Sequence, residues 1–295
     1  MIECTNVTKS YFRKKALTGV SCKIDEQKII GLIGRNGAGK STLLKILAGH
    51  LKPSSGEARI YNARPFNNLT VATNTILIEE NMTFPHNSDL AHILKSAAMF
   101  YPNWQGDLAK KLMDYAGPSL KSHHENLSKG QRSTFNLIYG LATRCAVTLL
   151  DEPMNGMDEA IRSDLYRAIL KEYIAYPRTI IISSHHLNEM EHLIEEILLI
   201  DNGQVALHES LEHMQQYALR LVGPKDFLEP YRHQVTILFE KNEGPYMEFV
   251  VETRSLLVDD NQLLANGIQL KPVPASDVCK YVTSNTRGGI DDVFK

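Results

Sequence analysis

The run Gly34-Arg35-Asn36-Gly37-Ala38-Gly39-Lys40-Ser41-Thr42 constrains this chain more than any other stretch. It fits the pattern G-x-x-x-x-G-K-S/T of a phosphate-binding loop, the P-loop. Upstream, Lys28-Ile29-Ile30-Gly31-Leu32-Ile33 reads as a short buried strand. Downstream, Ser41 to Ala48 reads as a helix closed by Gly49 in the C′ position. Strand, glycine-rich loop and helix are the context the pattern needs. Glycine lets the backbone turn tightly and approach phosphate oxygens. The loop N–H groups and the helix N-terminus then face the anion. In that arrangement Lys40 reaches the β- and γ-phosphates and Ser41 ligates Mg²⁺. The alternative, a glycine-rich turn that binds nothing, leaves this context without a reason.

Composition sets outer limits. A chain of 295 residues, 43% hydrophobic and 22% charged, reads as a globular protein of one large domain or two. The formal net charge of −2 provides no electrostatic case for nucleic acid. No apolar run is long enough to span a bilayer. The start Met1-Ile2-Glu3-Cys4 lacks a signal-peptide pattern. Cys4, Cys22, Cys145 and Cys279 are scattered, without a CxxC pair, as expected of reduced thiols in a cytosolic protein.

Residues 1–30 alternate like edge strands, and Tyr11 between them is an aromatic that either stacks on an adenine ring or covers a sheet edge. Glu57 to Tyr61 and Thr75 to Ile78 read as strands, the second ending in Glu79-Glu80. From about 89 to 139 the apolar residues recur at helical spacing, which predicts a helical insertion in an α/β core. His123-His124 falls in a polar stretch without metal-ligand companions and reads as a solvated loop. Ser128 and Gln131 fit the S-x-x-Q capping box, and a capped helix start is also an anion site.

The run Cys145 to Leu150 is apolar and ends in Asp151-Glu152, the pattern of a central parallel strand with a polar tip. Ligands of doubly wound sheets sit at such tips. Asp151 is therefore placed to hold Mg²⁺, and Glu152 to orient or deprotonate a water. Asn155 to Asp158 turns into a helix. Thr179 to Ser183 is another buried strand, with Ser184-His185-His186 at its tip, so His185 joins the candidates. Ile197 to Ile200 and Gln204 to Ala206 flank the hairpin turn Asp201-Asn202-Gly203. Beyond about Leu211 the pattern changes: Leu221-Val222-Gly223-Pro224 looks like a boundary, Val235–Phe239 and Phe249–Val251 like strands, and Ala275–Val282 like a helix.

On these residues the chain resembles the ATP-binding subunit (nucleotide-binding domain) of ABC transporters, over roughly residues 1–212. The P-loop, Leu127-Ser128-Lys129-Gly130-Gln131 in place of LSGGQ, Asp151-Glu152 and His185 occur in that family's order. The resemblance implies an α/β P-loop NTPase core at 1–212 with a helical subdomain at about 89–139, and a small C-terminal α+β module at 213–295. It implies ATP and Mg²⁺ as ligands, with Tyr11 on the adenine, Glu152 as catalytic carboxylate and His185 on the γ-phosphate. It places Asp158 in a loop facing a second subunit, and has Ser128, Lys129, Gly130 and Gln131 complete that subunit's ATP site.

Two residues depart from the family pattern. Lys129 stands where glycine is usual, and Glu79 where a glutamine usually links ATP to the membrane partner. Both, with Tyr101-Pro102-Asn103-Trp104, resemble bacterial export ATPases for bacitracin-type antibiotics, lantibiotics and amphipathic toxin peptides. The expectation is an ATP-hydrolysing subunit on the cytoplasmic face of the cell membrane, driving a separate permease and pairing with a second copy or a paralogue. The first alternative is a soluble ABC ATPase acting on ribosomes or DNA, but the chain has neither two fused cassettes nor long coiled coils. The second is a regulatory module without turnover, against which Lys40, Asp151, Glu152 and His185 argue.

Overall fold

The computed structural model describes residues 1–256 and 260–283. They fall into two units, Met1–His208 and Glu209–Lys295. In the first, β1 (Ile2–Tyr11) and β2 (Lys14–Ile24) form an antiparallel hairpin. The chain then crosses into a second sheet as β3 (Ile29–Ile33), passes through the glycine-rich loop into α1 (Lys40–Leu47), and returns as β4 (Ser55–Ile60). β1 is the middle of this small sheet, paired on both sides, so it is not the edge its alternation suggested. One face of the sheet is covered, which gives the same period-2 pattern as an edge.

The next elements are α2 (Leu69–Asn74), β5 (Thr75–Ile78), α3 (Leu90–Phe100), α4 (Gly106–Ala116) and α5 (Lys129–Thr143). They lead to β6 (Val147–Asp151), α6 (Glu159–Ala175), β7 (Thr179–Ser184), β8 (Glu196–Asp201) and β9 (Gln204–Ser210). The larger sheet has the order β5-β6-β7-β3-β8-β9, parallel from β5 through β8. β3 and β7 are buried at every position because helices and the small sheet leave neither face to water. Leu43, Leu44 and Leu47 of α1 share one core with Leu17 and Val20 of β2 and Val147 and Leu149 of β6. Parallel strands point one way, so the carboxyl ends of β5, β6, β7 and β3 lie side by side, with Asp151 opposite Ser183 and Ile33 opposite Ser184.

The second unit contains α7 (Leu211–Gln215), β10 (Ala218–Pro224), α8 (Lys225–Leu228), β11 (Ile237–Glu243), β12 (Tyr246–Glu252), α9 (Asp260–Ala265), β13 (Gln269–Pro272) and α10 (Ala275–Thr283). Its sheet runs β11-β12-β10-β13 over a core of Leu221, Leu228, Phe249, Val251 and Ile268. Leu221-Val222-Gly223-Pro224 is thus the end of a central strand, not a boundary. Gly223 and Pro224 read as punctuation, but Gly223 is where Ile268, the residue just before the neighbouring strand β13, packs closely on β10: a Cβ there would stand 2.9 Å from its Cγ1. The last stretch of the expected C-terminal module, 284–295, lies outside the described residues.

Candidate nucleotide site

The loop between β3 and α1 wraps around its own lysine. Lys40 is only 6% exposed, and its Nζ donates to the carbonyls of Gly34 at 2.6 Å and Arg35 at 3.4 Å. Gly39, the N-cap of α1, has φ of 115° and a backbone so close to β2 that a Cβ would lie 2.6 Å from the Ala16 carbonyl. Only glycine fits. No side-chain cap closes this end of α1, so its first N–H groups are left for an external acceptor.

Beside the loop lies a cavity of about 320 Å³, lined by Tyr11, Arg35, Asn36, Lys40, Ser41 and Glu152 among others. Gly37, Gly39 and Thr42 also line it. Gly34 and Ala38 belong to the loop, but are not part of that lining. Tyr11, 42% exposed at the end of β1, presents an aromatic face at the rim, with Lys9 Nζ 5.4 Å from the ring centre.

The acidic wall comes from neighbouring strand tips. Ser183 Oγ donates to Asp151 Oδ1 at 2.6 Å and accepts from Glu152 N at 2.9 Å. This hydroxyl clamps Glu152 in a left-handed conformation, φ 47°, which costs a non-glycine residue ~1–3 kcal/mol. The bend aims the Glu152 carboxylate back toward the loop. There Oε1 lies 3.4 Å from Lys40 Nζ and Oε2 lies 3.0 Å from His185 Nδ1. Lys40, Glu152 and His185, far apart in sequence, are thereby brought together, with Asp151 held alongside through Ser183. Ser183 was not legible as part of this site; a serine closing a run of isoleucines was the available signal.

The donor set fits a magnesium-bound triphosphate. The buried ammonium already takes a carboxylate as an anionic partner, an uncapped helix start faces the same cavity, and Ser41 lines it. The Asp151 carboxylate, outside that lining, is tied through Ser183 to the backbone of Glu152, which does line it. Hard oxygen donors suit Mg²⁺.

The remaining candidates lie elsewhere. Ser128 and Gln131 form the expected capping box at the start of α5, with Gln131 N to Ser128 Oγ at 3.4 Å and Ser128 N to Gln131 Oε1 at 3.2 Å. Gly130 presses on the turn after Glu152: a Cβ there would be 2.4 Å from the Gly156 carbonyl. Lys129 pairs with Glu80 at 2.9 Å and Glu79 with Lys45 at 2.8 Å. Asp158 caps α6, accepting from Ile161 N at 2.9 Å. None of these residues lines the cavity at Lys40.

His124 departs from its sequence reading. It is 8% exposed, not solvated, with its ring edge-on to Phe84 at 4.8 Å and its Nε2 2.7 Å from Asn136 Oδ1. Burial pushes its pKa below the usual histidine value, partly opposed by the Asn136 hydrogen bond. Tyr101 and Trp104 pack on Tyr139 of α5.

The chain is similar to known proteins in sequence and in fold. A family model described as ABC transporter matches residues 17–155. The lantibiotic transport ATP-binding protein SrtF of Streptococcus pyogenes is 30% identical over 241 residues, covering 82% of this chain and 99% of that protein. The ABC transporter ATP-binding protein YtrB of Bacillus subtilis is 27% identical over 75% of this chain and 76% of its own length. Among solved structures, a dimeric post-hydrolysis state of the ATP-binding cassette MJ0796 with ADP and Pi matches with a TM-score of 0.64 at 22% identity. It covers 72% of this chain and 99% of that one, a likeness of fold.

Proposed function

Because the chain belongs to the ABC transporter family, as one of its ATP-binding ATPases, we propose that it pairs head to tail with a second ATPase subunit around two nucleotides and powers a separate membrane permease. Export of an antimicrobial or toxin peptide, or a drug, is the transport it best suits. The relative SrtF supports that cargo class by its own name, and Glu79 and Lys129 by their departure from the common pattern. Among the described residues no helix is long and apolar enough to cross a membrane, which fits peripheral attachment through a partner.

The observation that carries the catalytic reading is the Lys40–Glu152–His185 contact at the strand tips. Ser41 and Asp151 would hold the magnesium ion, which when bound screens phosphate charge and polarises the phosphoryl group. Lys40 exchanges the Glu152 carboxylate for phosphate oxygens while keeping its grip on the Gly34 carbonyl. Glu152, released from Lys40, keeps His185 as its partner, orients the attacking water and accepts its proton. Tyr11 stacks on the base. Ser128, Gly130 and Gln131 do not line their own chain's cavity, which supports their service to the opposite subunit, while Lys129 at the same helix start is turned to Glu80.

Glu152→Gln tests this. It keeps the size of the side chain and the neighbouring Asp151, and removes the proton acceptor. Mg-ATP binding should persist, hydrolysis should fall by ~10²–10⁴, and chromatography in Mg-ATP should show a dimer. Near-normal turnover would exclude Glu152 as the base.

A further inference from the structure

The two residues that depart from the family pattern, Glu79 and Lys129, are 50 positions apart in sequence, yet the fold joins them through adjacent ion pairs. β5 delivers Glu79 and Glu80 to the sheet's carboxyl edge, where the preceding Ile78 lies opposite Leu150. Glu79 reaches sideways to Lys45 Nζ at 2.8 Å, and this hydrogen bond raises the lysine's pKa. Lys45 lies one turn beyond Ser41, on the same side of α1. Glu80 reaches the other way, to Lys129 Nζ at 2.9 Å, in the first turn of α5. α5 takes a second hold two turns on. Asn136 Nδ2 donates to the Glu79 carbonyl at 3.1 Å, and His124 fixes the Asn136 amide from behind.

We propose that Glu79-Glu80 is a charge clamp between the nucleotide-loop helix α1 and the helix α5, which starts at Lys129, of the same chain, with Lys45 and Lys129 as its positioning residues. A neutral glutamine at 79 and a glycine at 129 could make neither ion pair, so the two departures are halves of one device. A second glutamate beside Asp151 and Glu152 adds negative charge to the tip region, and Lys45 offsets it. The side chain of Lys129 also lies over Gly156, where an added Cβ would come within 2.8 Å of its Cγ. The lysine thus seats the start of α5 on the turn after Glu152. The clamp lies within one chain; its value for catalysis rests on the head-to-tail reading, because it sets where α5 stands when a second subunit closes.

The test uses full-length protein. Glu80→Lys and Lys129→Glu are made singly and together, and Lys45→Glu and Glu79→Lys likewise. Amide hydrogen exchange is followed without nucleotide over residues 79–88 and 128–134. Each single reversal should speed exchange there by roughly two- to five-fold, the range for a partly exposed ion pair, and each swapped pair should return it to the wild-type rate. Unchanged exchange in the singles, or swapped pairs no better than the singles, overturns the clamp.

The Glu80/Lys129 set is then placed in the Glu152→Gln background with Mg-ATP. The singles should weaken the dimer and the swapped pair should restore it, as expected if Lys129 acts through Glu80. A swapped pair that stays monomeric while its parent dimerises overturns the positioning role and makes Lys129 a direct contact. If the parent itself does not dimerise, the head-to-tail reading falls, and the exchange result still decides the clamp.

Discussion

Replacing Lys40 with alanine probes the centre of the site. Its Nζ makes contacts at 2.6 Å to Gly34 O, 3.4 Å to Arg35 O and 3.4 Å to Glu152 Oε1, from a side chain 94% removed from solvent. The ammonium therefore does two jobs. It pins the loop in its binding shape, and it carries the charge that phosphate would share. Each charge-assisted hydrogen bond is worth ~1.5–3 kcal/mol. With one such bond to each of the β- and γ-phosphates, the variant loses ~3–6 kcal/mol of binding free energy, or about a hundred- to ten-thousand-fold in affinity. Titration calorimetry with Mg-ATP reads this directly, and thermal unfolding checks that the variant is folded. Glu152 keeps His185 in the variant, so its carboxylate is not stranded. A folded variant whose affinity stays within about tenfold of wild type would refute the argument, since both jobs would then be dispensable.

Ser128→Arg should leave ATP binding by the isolated chain nearly intact while blocking assembly and hydrolysis, with ~1 kcal/mol lost from the broken cap; wild-type activity unaltered by mixing in mutant subunits would contradict service in trans. Burial lowers the His124 pKa, so the folded state favours the neutral ring. That stability is fully present above the unfolded value of ~6.5 and falls with pH below it, by at most ~1.4 kcal/mol per pH unit. His124→Gln should flatten the loss in thermal unfolding between pH 7.5 and 5, and an unchanged slope would remove His124 as its source. A chain ending at about Gln215 should still bind ATP, because the P-loop cavity is built within Met1–His208. We propose that the removed module steadies the dimer between ATP cycles; light scattering of a full-length protein already monomeric without nucleotide would exclude that.

The sequence by itself determined the parts whose chemistry is contiguous. The P-loop is legible because its glycines, Lys40 and Ser41 are consecutive and its flanks are strand and helix. Asp151 and Glu152 are legible because an apolar run ending in carboxylates marks a buried strand's tip. The Asn202-Gly203 turn is legible because both residues take positive φ, 46° and 78°, which these types tolerate.

Only the tertiary structure decided what depends on partners distant in sequence. Periodicity reports how buried a position is, not what faces it. The left-handed bend at Glu152 exists because Ser183, 31 residues away, holds its N–H. His124 sits in a polar stretch, yet Phe84 and Asn136 close over it from other segments. Gly223-Pro224 looks like a break until Ile268, leading into the neighbouring strand, is seen packed against Gly223 of a central strand. The pairing of Lys45 with Glu79 and of Glu80 with Lys129 follows from where β5 ends between two helices. That position is set by the packing of the whole sheet, so neither departure from the family pattern could be interpreted before the fold was known.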